Sequence, residues 1–230
     1  FMKKEVKILA AIVIVVIIGG VFAANYYRNS VQNTPVTANS NTGKPKIDPA
    51  TLVRPDSPVL GPADAKITLV EFYDPECESC ASFAPVVKKI LADYQGKIRL
   101  VTRYMPLHPN SMTAANFTEA AGEQGKYWEA QDLLFKKQPE WGTKHGPAPT
   151  TPPPPINELF DKYAKELGLD TTKAAAAIKE KRFDAKIAQD KKDGQTLGVR
   201  RTPTFFVNGR ELATFGEPSL RALIEDELKK

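Results

Sequence analysis

Two cysteines lie three positions apart, and the chain has no other thiol. Cys77 and Cys80 follow directly after the strand-like run of residues 67–72. On the first turn of a helix, two sulfurs at this spacing are close enough to form a disulfide. Unpaired backbone N–H groups and the helix dipole favour a thiolate there, so we expect Cys77 to be the nucleophile. Cys80, further inside and less exposed, would be the resolving thiol, which predicts thiol–disulfide exchange.

Three other interpretations of the cysteine pair are weaker. A structural disulfide across so short a loop would remove little entropy from the unfolded chain. A zinc site would need two more ligands, and the chain adds only His108 and His145. Burial of two inert thiols conflicts with the turn position of Cys77, which should leave it accessible. We therefore predict no metal and no cofactor other than the redox-active disulfide of Cys77 and Cys80.

The N-terminal residues 1–28 predict a membrane anchor or signal segment. Lysines precede an apolar run at 8–24, and two tyrosines with Arg28 follow it. This arrangement favours a single uncleaved anchor, with the domain outside the cytoplasm in the periplasm or at the cell exterior. Cleavage near Ala23, giving a soluble exported protein, is the alternative. In both cases the cysteine pair leaves the cytosol, where disulfides persist.

Composition divides the remaining chain into a linker and one domain. Residues 29–54 are rich in Asn, Thr, Pro and Ser, and they predict a disordered polar linker. The residues that follow are numerous enough for one globular domain with its own core. The net charge of +5 comes from dispersed lysines, which predicts a solvated surface without nucleic-acid binding. We expect a monomer.

The order of predicted elements indicates an α/β fold with a split sheet. Predicted strands at 58–60, 67–72 and 98–104, with a helix from Cys77 to about Asp93, form a βαβ unit with a parallel pair. Asn208-Gly209 is a strong hairpin signal between predicted strands at 204–207 and 211–215.

Helical spacing dominates the region between these two parts. The predicted domain therefore has a first half, an inserted helical subdomain with an extended Pro-rich loop, and a second half followed by a helix after Pro218. Their ranges are 55–108, 109–192 with the loop at 139–155, and 193–230.

Together these residues resemble the DsbA-like branch of the thioredoxin superfamily, including BdbD-type members with an N-terminal anchor. The resemblance covers about residues 57–228 and implies a thioredoxin-like fold, with a central mixed sheet and an inserted helical subdomain. It also implies thiol–disulfide exchange on exported proteins. The segments that carry it are Ser57–Gly61, Val70–Phe72 with the cysteine pair, Tyr127-Trp128, Leu133–Phe135 and Gly198–Gly209.

The resemblance assigns three further residues to the site. Pro203 would be a cis-proline facing the redox turn, and Thr202 would expose backbone groups beside Cys77. An unfolded substrate could pair there as an added strand. Glu71, inside an apolar strand, is expected to be partly buried with a raised pKa, which suits a proton acceptor for Cys80.

The residues between the cysteines depart from the family pattern, which often has Pro or His there. Glu78 and Ser79 are expected to change the stability of the Cys77 thiolate. Negative charge on Glu78 should raise the pKa of Cys77 and weaken its oxidising power. Arg201, next to Thr202, is a candidate for the compensating positive charge.

The sequence thus predicts an exported oxidoreductase that introduces disulfides into unfolded or reduced exported proteins. A DsbB-like membrane quinone reductase would regenerate its disulfide. A reductase or isomerase with the same site is one alternative. A non-catalytic copper- or peptide-binding thioredoxin-like module is another, although Met and His ligands are missing around Cys77.

Overall fold

The computed structural model describes residues 46–144 and 154–230, together with Gly19, Gly20 and Phe22. Most of the predicted anchor, the first part of the predicted linker and the centre of the Pro-rich loop lie outside the described residues. Within the described part of the chain, no helix is both long and apolar enough to cross a membrane. The anchor at 1–28 therefore stays a prediction.

A five-stranded mixed sheet forms the centre of the fold. In chain order, the helices and strands of the fold are α1 (Pro49–Leu52), β1 (Val59–Leu60), β2 (Ile67–Tyr73), α2 (Glu78–Asp93), β3 (Ile98–Tyr104), α3 (Ser111–Gly122), α4 (Tyr127–Trp141), α5 (Ile156–Glu166), α6 (Thr171–Lys179), α7 (Asp184–Thr196), β4 (Thr204–Val207), β5 (Arg210–Glu211) and α8 (Glu217–Leu228). The sheet order is β1-β3-β2-β4-β5. Only β2 and β3 are parallel, and the other neighbours are antiparallel. The predicted central mixed sheet is confirmed.

Strand β2 lies at the centre of the sheet and leads directly to the cysteine turn. It pairs with β3 on one side and with β4 on the other, and all of its residues are buried. A strand covered on both faces is normally a continuous apolar run. Glu71 breaks this run, so the centre of the sheet holds a carboxyl group.

The hairpin between β4 and β5 confirms the Asn208-Gly209 signal but not the predicted length of its second strand. Asn208 and Gly209 have φ angles of 46° and 88°, as a tight hairpin turn of this kind requires. Strand β5 covers only Arg210–Glu211, whereas we predicted 211–215. The chain leaves the sheet because Gly216, at φ 144°, turns it into helix α8.

The predicted helical insertion is present between β3 and β4. Helices α3 to α6 share an apolar core that includes Phe117, Phe160 and Tyr163. Asp170 caps α6 by accepting a hydrogen bond from the backbone N–H of Lys173 at 3.1 Å, as its position before the helix predicts. The thioredoxin-like sheet is thus interrupted by a packed helical unit.

The Pro-rich loop begins later than predicted. Pro139 lies inside helix α4, which continues to Trp141, so the expected extended loop at 139–155 is wrong at its start. Proline normally disfavours a helix interior because it lacks the N–H group. Buried contacts hold this last turn: the indole Nε1 of Trp141 donates to the carbonyl of Leu134 at 2.9 Å, and Gly142 N donates to the carbonyl of Gln138 at 2.8 Å.

The end of the predicted linker is folded rather than disordered. Asp48 caps the short helix α1 by accepting from the backbone N–H of Ala50. Leu52 is completely buried, and its carbonyl accepts from Arg103 Nη1 at 2.8 Å. Ile47 N also donates to the carbonyl of Gly209 at 2.9 Å. The prediction for 29–54 is therefore wrong for its last residues, because Leu52, with Ile47 and Val53, packs against the core.

Candidate active site

Cys77 and Cys80 lie at the start of helix α2, as predicted. Cys77 is the N-cap residue, and Cys80 falls in the first turn. Cys80 is fully buried and Cys77 is only 7% exposed. The expectation of an accessible Cys77 is therefore wrong in degree, because Tyr73, Tyr104 and other aromatic side chains pack around the pair. Both cysteines are free thiols in this structure.

Hydrogen bonds stabilise the thiolate form of Cys77. They lower its pKa to about 5, and the thiol of Cys80 makes the largest contribution. Burial acts in the opposite direction, but the Thr202 side chain and the backbone N–H groups of Cys80 and Ser79 add to the lowering. These N–H groups are the unpaired donors of a helix N-terminus. The helix N-terminus therefore stabilises the Cys77 thiolate, as predicted.

The pKa of Cys80 moves in the opposite direction. Burial raises it well above its usual value, and the hydrogen bond to Cys77 and the charge of Glu71 raise it further. One sulfur of the pair thus favours the thiolate and the other favours the thiol.

Glu71 is nearly buried and prefers its neutral form. Its side chain is 7% exposed, and it lies opposite Thr102 of β3 and Phe205 of β4. Burial, with a smaller contribution from the charge of Cys77, raises its pKa to about 8. The expected burial and the expected direction of the pKa shift are both present, while its role as proton acceptor stays a prediction.

Thr202 and Pro203 face the cysteine turn. The peptide bond between them is cis, as the resemblance implied. The carbonyl oxygen of Thr202 lies 3.4 Å from Cys77 Sγ, and Pro203 itself is buried. Cys77 and Thr202 are 125 positions apart in the sequence, and the fold places the backbone carbonyl of Thr202 beside the nucleophile.

The sequence suggested that Glu78, Ser79 and Arg201 influence the pKa of Cys77. Glu78 and Ser79 are exposed on the first turn of α2. Hydrogen bonds to the thiolate lower the pKa of Cys77, and the opposing contribution expected from Glu78 stays a prediction. Arg201 is exposed, and its carbonyl accepts from the hydroxyl of Thr204 at 2.8 Å. Its proposed charge compensation stays a prediction.

Sequence reasoning missed a buried carboxylate that shapes the cysteine turn. Asp74 is fully buried, and its backbone carbonyl accepts from Cys77 N at 3.1 Å. Its side chain accepts from Glu76 N at 2.8 Å, from Leu107 N at 2.7 Å and from the hydroxyl of Ser111. The signal was an Asp immediately after the central strand, a residue type that often bonds the backbone of the following turn.

Glu76 is a second buried carboxylate that the sequence did not single out. It is 2% exposed and accepts from the backbone N–H of Asn110 at 2.6 Å. Its other oxygen accepts from Asn110 Nδ2 at 3.0 Å and from the backbone N–H and hydroxyl of Thr143 at 2.8 and 2.7 Å. Glu76 therefore joins the cysteine turn to the beginning of α3 and the end of α4.

The aromatic side chains around the cysteines include a small hydrogen-bonded network. The hydroxyl of Tyr127 lies 3.1 Å from the hydroxyl of Tyr73 and 3.0 Å from that of Thr102. Among the residues that the structure describes, no group of three or more His, Cys, Asp or Glu is placed to hold a metal ion. What the described site presents is a nucleophilic sulfur, a buried partner sulfur and a neutral carboxyl group.

Comparison with known proteins identifies the family. A family model described as thioredoxin matches residues 54–226. The chain belongs to the thioredoxin family. Among solved structures, oxidised BdbD from Bacillus subtilis is 25% identical, with a TM-score of 0.65 over 76% of this chain and 94% of that one. A thioredoxin-like oxidoreductase from Silicibacter pomeroyi DSS-3 is 29% identical, with a TM-score of 0.64 over 80% and 99% of the two chains.

One of these neighbours is a BdbD protein and the other is a thioredoxin-like oxidoreductase, so the chain is an enzyme of the protein-disulfide oxidoreductase class. Curated relatives are longer proteins. The Na(+)/H(+) antiporter NhaA 3 of Salinispora tropica is 39% identical over 155 residues, which is 66% of this chain but 22% of that protein. The chain spans about a quarter of the length of the curated relatives that it matches.

Proposed function

We propose that this thioredoxin-family enzyme acts as an oxidase that introduces disulfides into exported proteins. The observation that carries the proposal is the stabilised thiolate of Cys77, whose pKa is lowered to about 5. A stabilised thiolate makes the reduced form of the pair more stable, and a couple with a stable reduced form is a strong oxidant.

The oxidation proceeds in two exchange steps. A substrate thiolate attacks Cys77 Sγ of the Cys77–Cys80 disulfide, which forms a mixed disulfide and releases the sulfur of Cys80. A second substrate thiolate then attacks the substrate sulfur of that mixed disulfide and releases Cys77 as a thiolate. The substrate loses two electrons and gains a disulfide, and the enzyme ends as a dithiol pair that holds one proton on Cys80.

Glu71 is suited to supply the proton that Cys80 needs when it leaves. With a pKa of about 8, the Glu71 carboxyl is mostly protonated at neutral pH, and the charges of Glu71 and Cys80 are coupled. A neutral acid beside a leaving thiolate can donate its proton, and the carboxylate can accept one in the reverse direction. The proposed acid–base role therefore serves both directions of exchange.

Substrates in this proposal are unfolded or reduced polypeptides. The backbone of Thr202 lies beside Cys77, where an extended segment can add as a strand without sequence specificity. Regeneration would require a DsbB-like membrane quinone reductase, and the N-terminal segment would hold the domain outside the cytoplasm. We do not extend antiport to this chain, because the match covers 22% of the antiporter.

The reduction potential of the cysteine pair, measured against glutathione, tests the direction. We expect a value nearer to about −120 mV, the potential of DsbA, than to about −270 mV, that of thioredoxin. The protein should also oxidise a reduced unfolded substrate, and Cys77→Ser should abolish this activity. A potential near the thioredoxin value would favour the reductase or isomerase alternative. Tight copper(I) binding without dithiol oxidation would favour the non-catalytic module.

A further inference from the structure

A histidine lies on the far side of the carboxylate that supports the cysteine turn. His108 follows β3, and its Nδ1 is 2.7 Å from Asp74 Oδ2. The backbone N–H of His108 donates to the same oxygen at 3.2 Å. The His108 side chain is 30% exposed, whereas that of Asp74 is fully buried. The imidazole is therefore anchored at one nitrogen while the ring keeps access to solvent.

One residue sets the positions of both His108 and Cys77. The Asp74 side chain binds the imidazole, and the Asp74 carbonyl accepts from Cys77 N. Because a carboxylate accepts hydrogen bonds, Nδ1 of His108 carries a hydrogen, and Nε2 is the atom that gains or loses the proton. Asp74 thus links the imidazole of His108 to the backbone of the cysteine turn.

The groups that face His108 favour its charged form. Burial lowers its pKa, but the hydrogen bond and charge of Asp74, followed by the charges of Cys77 and Glu76, raise it above its usual value. From helix α7, Lys191 donates to the carbonyl of Pro106, two residues before His108, at 2.8 Å. The sum of these effects is a raised pKa.

Coupling between two charges is reciprocal. If the Cys77 thiolate stabilises the His108 imidazolium, the imidazolium stabilises the thiolate by the same free energy. Cys77, with a pKa of about 5, titrates in the range in which a histidine with a raised pKa is still charged. The imidazolium is therefore present when the thiolate forms.

We propose that His108, held as an imidazolium by Asp74, is the positive charge that stabilises the Cys77 thiolate and strengthens the pair as an oxidant. This role rests on the proposed function for its biological use, but the thiolate effect is measurable whichever direction the exchange runs. In this proposal His108, rather than Arg201, carries the positive charge that stabilises the thiolate. His108 acts on the reacting sulfur through its charge.

The first test removes the charge and keeps the hydrogen bond. In His108→Asn the amide nitrogen can replace Nδ1 as donor to Asp74. We expect the pKa of Cys77, followed by thiolate absorbance, to rise by about 0.5 units, which is roughly a threefold change in the ratio of thiolate to thiol. At pH 6 the potential should fall by about 14 mV, since a tenfold change corresponds to about 30 mV. Arg201→Gln is the matched control and should leave both values unchanged.

An unchanged Cys77 titration in His108→Asn, or a larger shift in Arg201→Gln, would overturn the proposal. A second measurement needs no variant and covers the case in which His108→Asn does not fold. The chain has two histidines, and NMR can follow the pKa of His108 in the reduced and oxidised protein. We expect the higher pKa in the reduced protein, where the thiolate is present, and equal values in both states refute the coupling. Oxidised wild type that fails to oxidise a reduced substrate, with this shift intact, would reject the oxidase assignment alone.

Discussion

The clearest quantitative consequence of the structure concerns Glu71, a carboxyl group inside the central strand. Replacing it by glutamine keeps the size and a polar end but removes the ionisation. Because Glu71 is 7% exposed and its pKa is raised to about 8, its ionised form destabilises the folded protein. We therefore predict that Glu71→Gln increases the free energy of unfolding at neutral and alkaline pH.

The magnitude follows from the pKa shift. A rise from 4.5 to about 8 corresponds to about 5 kcal/mol, at about 1.4 kcal/mol per unit. The folded pKa is above the unfolded one, so stability that is fully present below pH 4.5 is lost as the pH rises to about 8. Wild type and Glu71→Gln should therefore be equally stable near pH 4, and the variant should be more stable by about 3 kcal/mol at pH 7.

Urea unfolding of the reduced proteins between pH 4 and pH 9 measures this difference. Glu158→Gln, which removes an exposed carboxyl group on α5, is the control and should follow the wild-type curve. In the oxidised protein the difference should be smaller, because the Cys77 thiolate that contributes to the shift is absent. If Glu71→Gln and wild type lose stability in parallel between pH 5 and pH 8, Glu71 is not the buried neutral acid described above.

The remaining predictions concern the thiolate and the core. Cys80→Ala should raise the pKa of Cys77 from about 5, because it removes the largest stabilising hydrogen bond; the pH dependence of iodoacetamide alkylation measures this, and an unchanged profile contradicts it. Thr202→Val should raise the same pKa by less than Cys80→Ala does. A larger rise in Thr202→Val would contradict the conclusion that Cys80 makes the largest contribution to the Cys77 thiolate. Arg103→Met should lower the free energy of unfolding by about 3–5 kcal/mol. Guanidinium nitrogens of Arg103 lie 2.6 Å from a carboxylate oxygen of Asp190 and of Asp193, and the substitution removes this buried positive charge. Urea denaturation at pH 7 tests this, and a loss below about 1 kcal/mol would refute it.

Local sequence signals predicted the sheet and the position of the redox pair. The alternation of strand, helix and strand around Cys77 uses contacts within a short stretch of chain, and Asn208-Gly209 specifies its turn by its own backbone angles. These features depend on neighbours that are close in sequence. The family resemblance added the cis bond before Pro203, which the structure contains.

Features that depend on distant partners were not predictable in the same way. Asp74 and Glu76 bond residues 33 to 67 positions further along the chain, and no local pattern identifies those partners. The burial of Leu52 depends likewise on the sheet and on Arg103. Pro139 stays helical because of the packing of Trp141. In each case tertiary contacts override the local preference.

Three buried acids near the turn differ in their hydrogen-bond partners. Glu71 lies in the sheet with apolar neighbours, and burial raises its pKa to about 8. Asp74 and Glu76 are also buried, but each accepts several hydrogen bonds from backbone and side-chain donors. The same short segment therefore provides two hydrogen-bond acceptors that hold the cysteine turn and the acid that we propose to exchange a proton with Cys80.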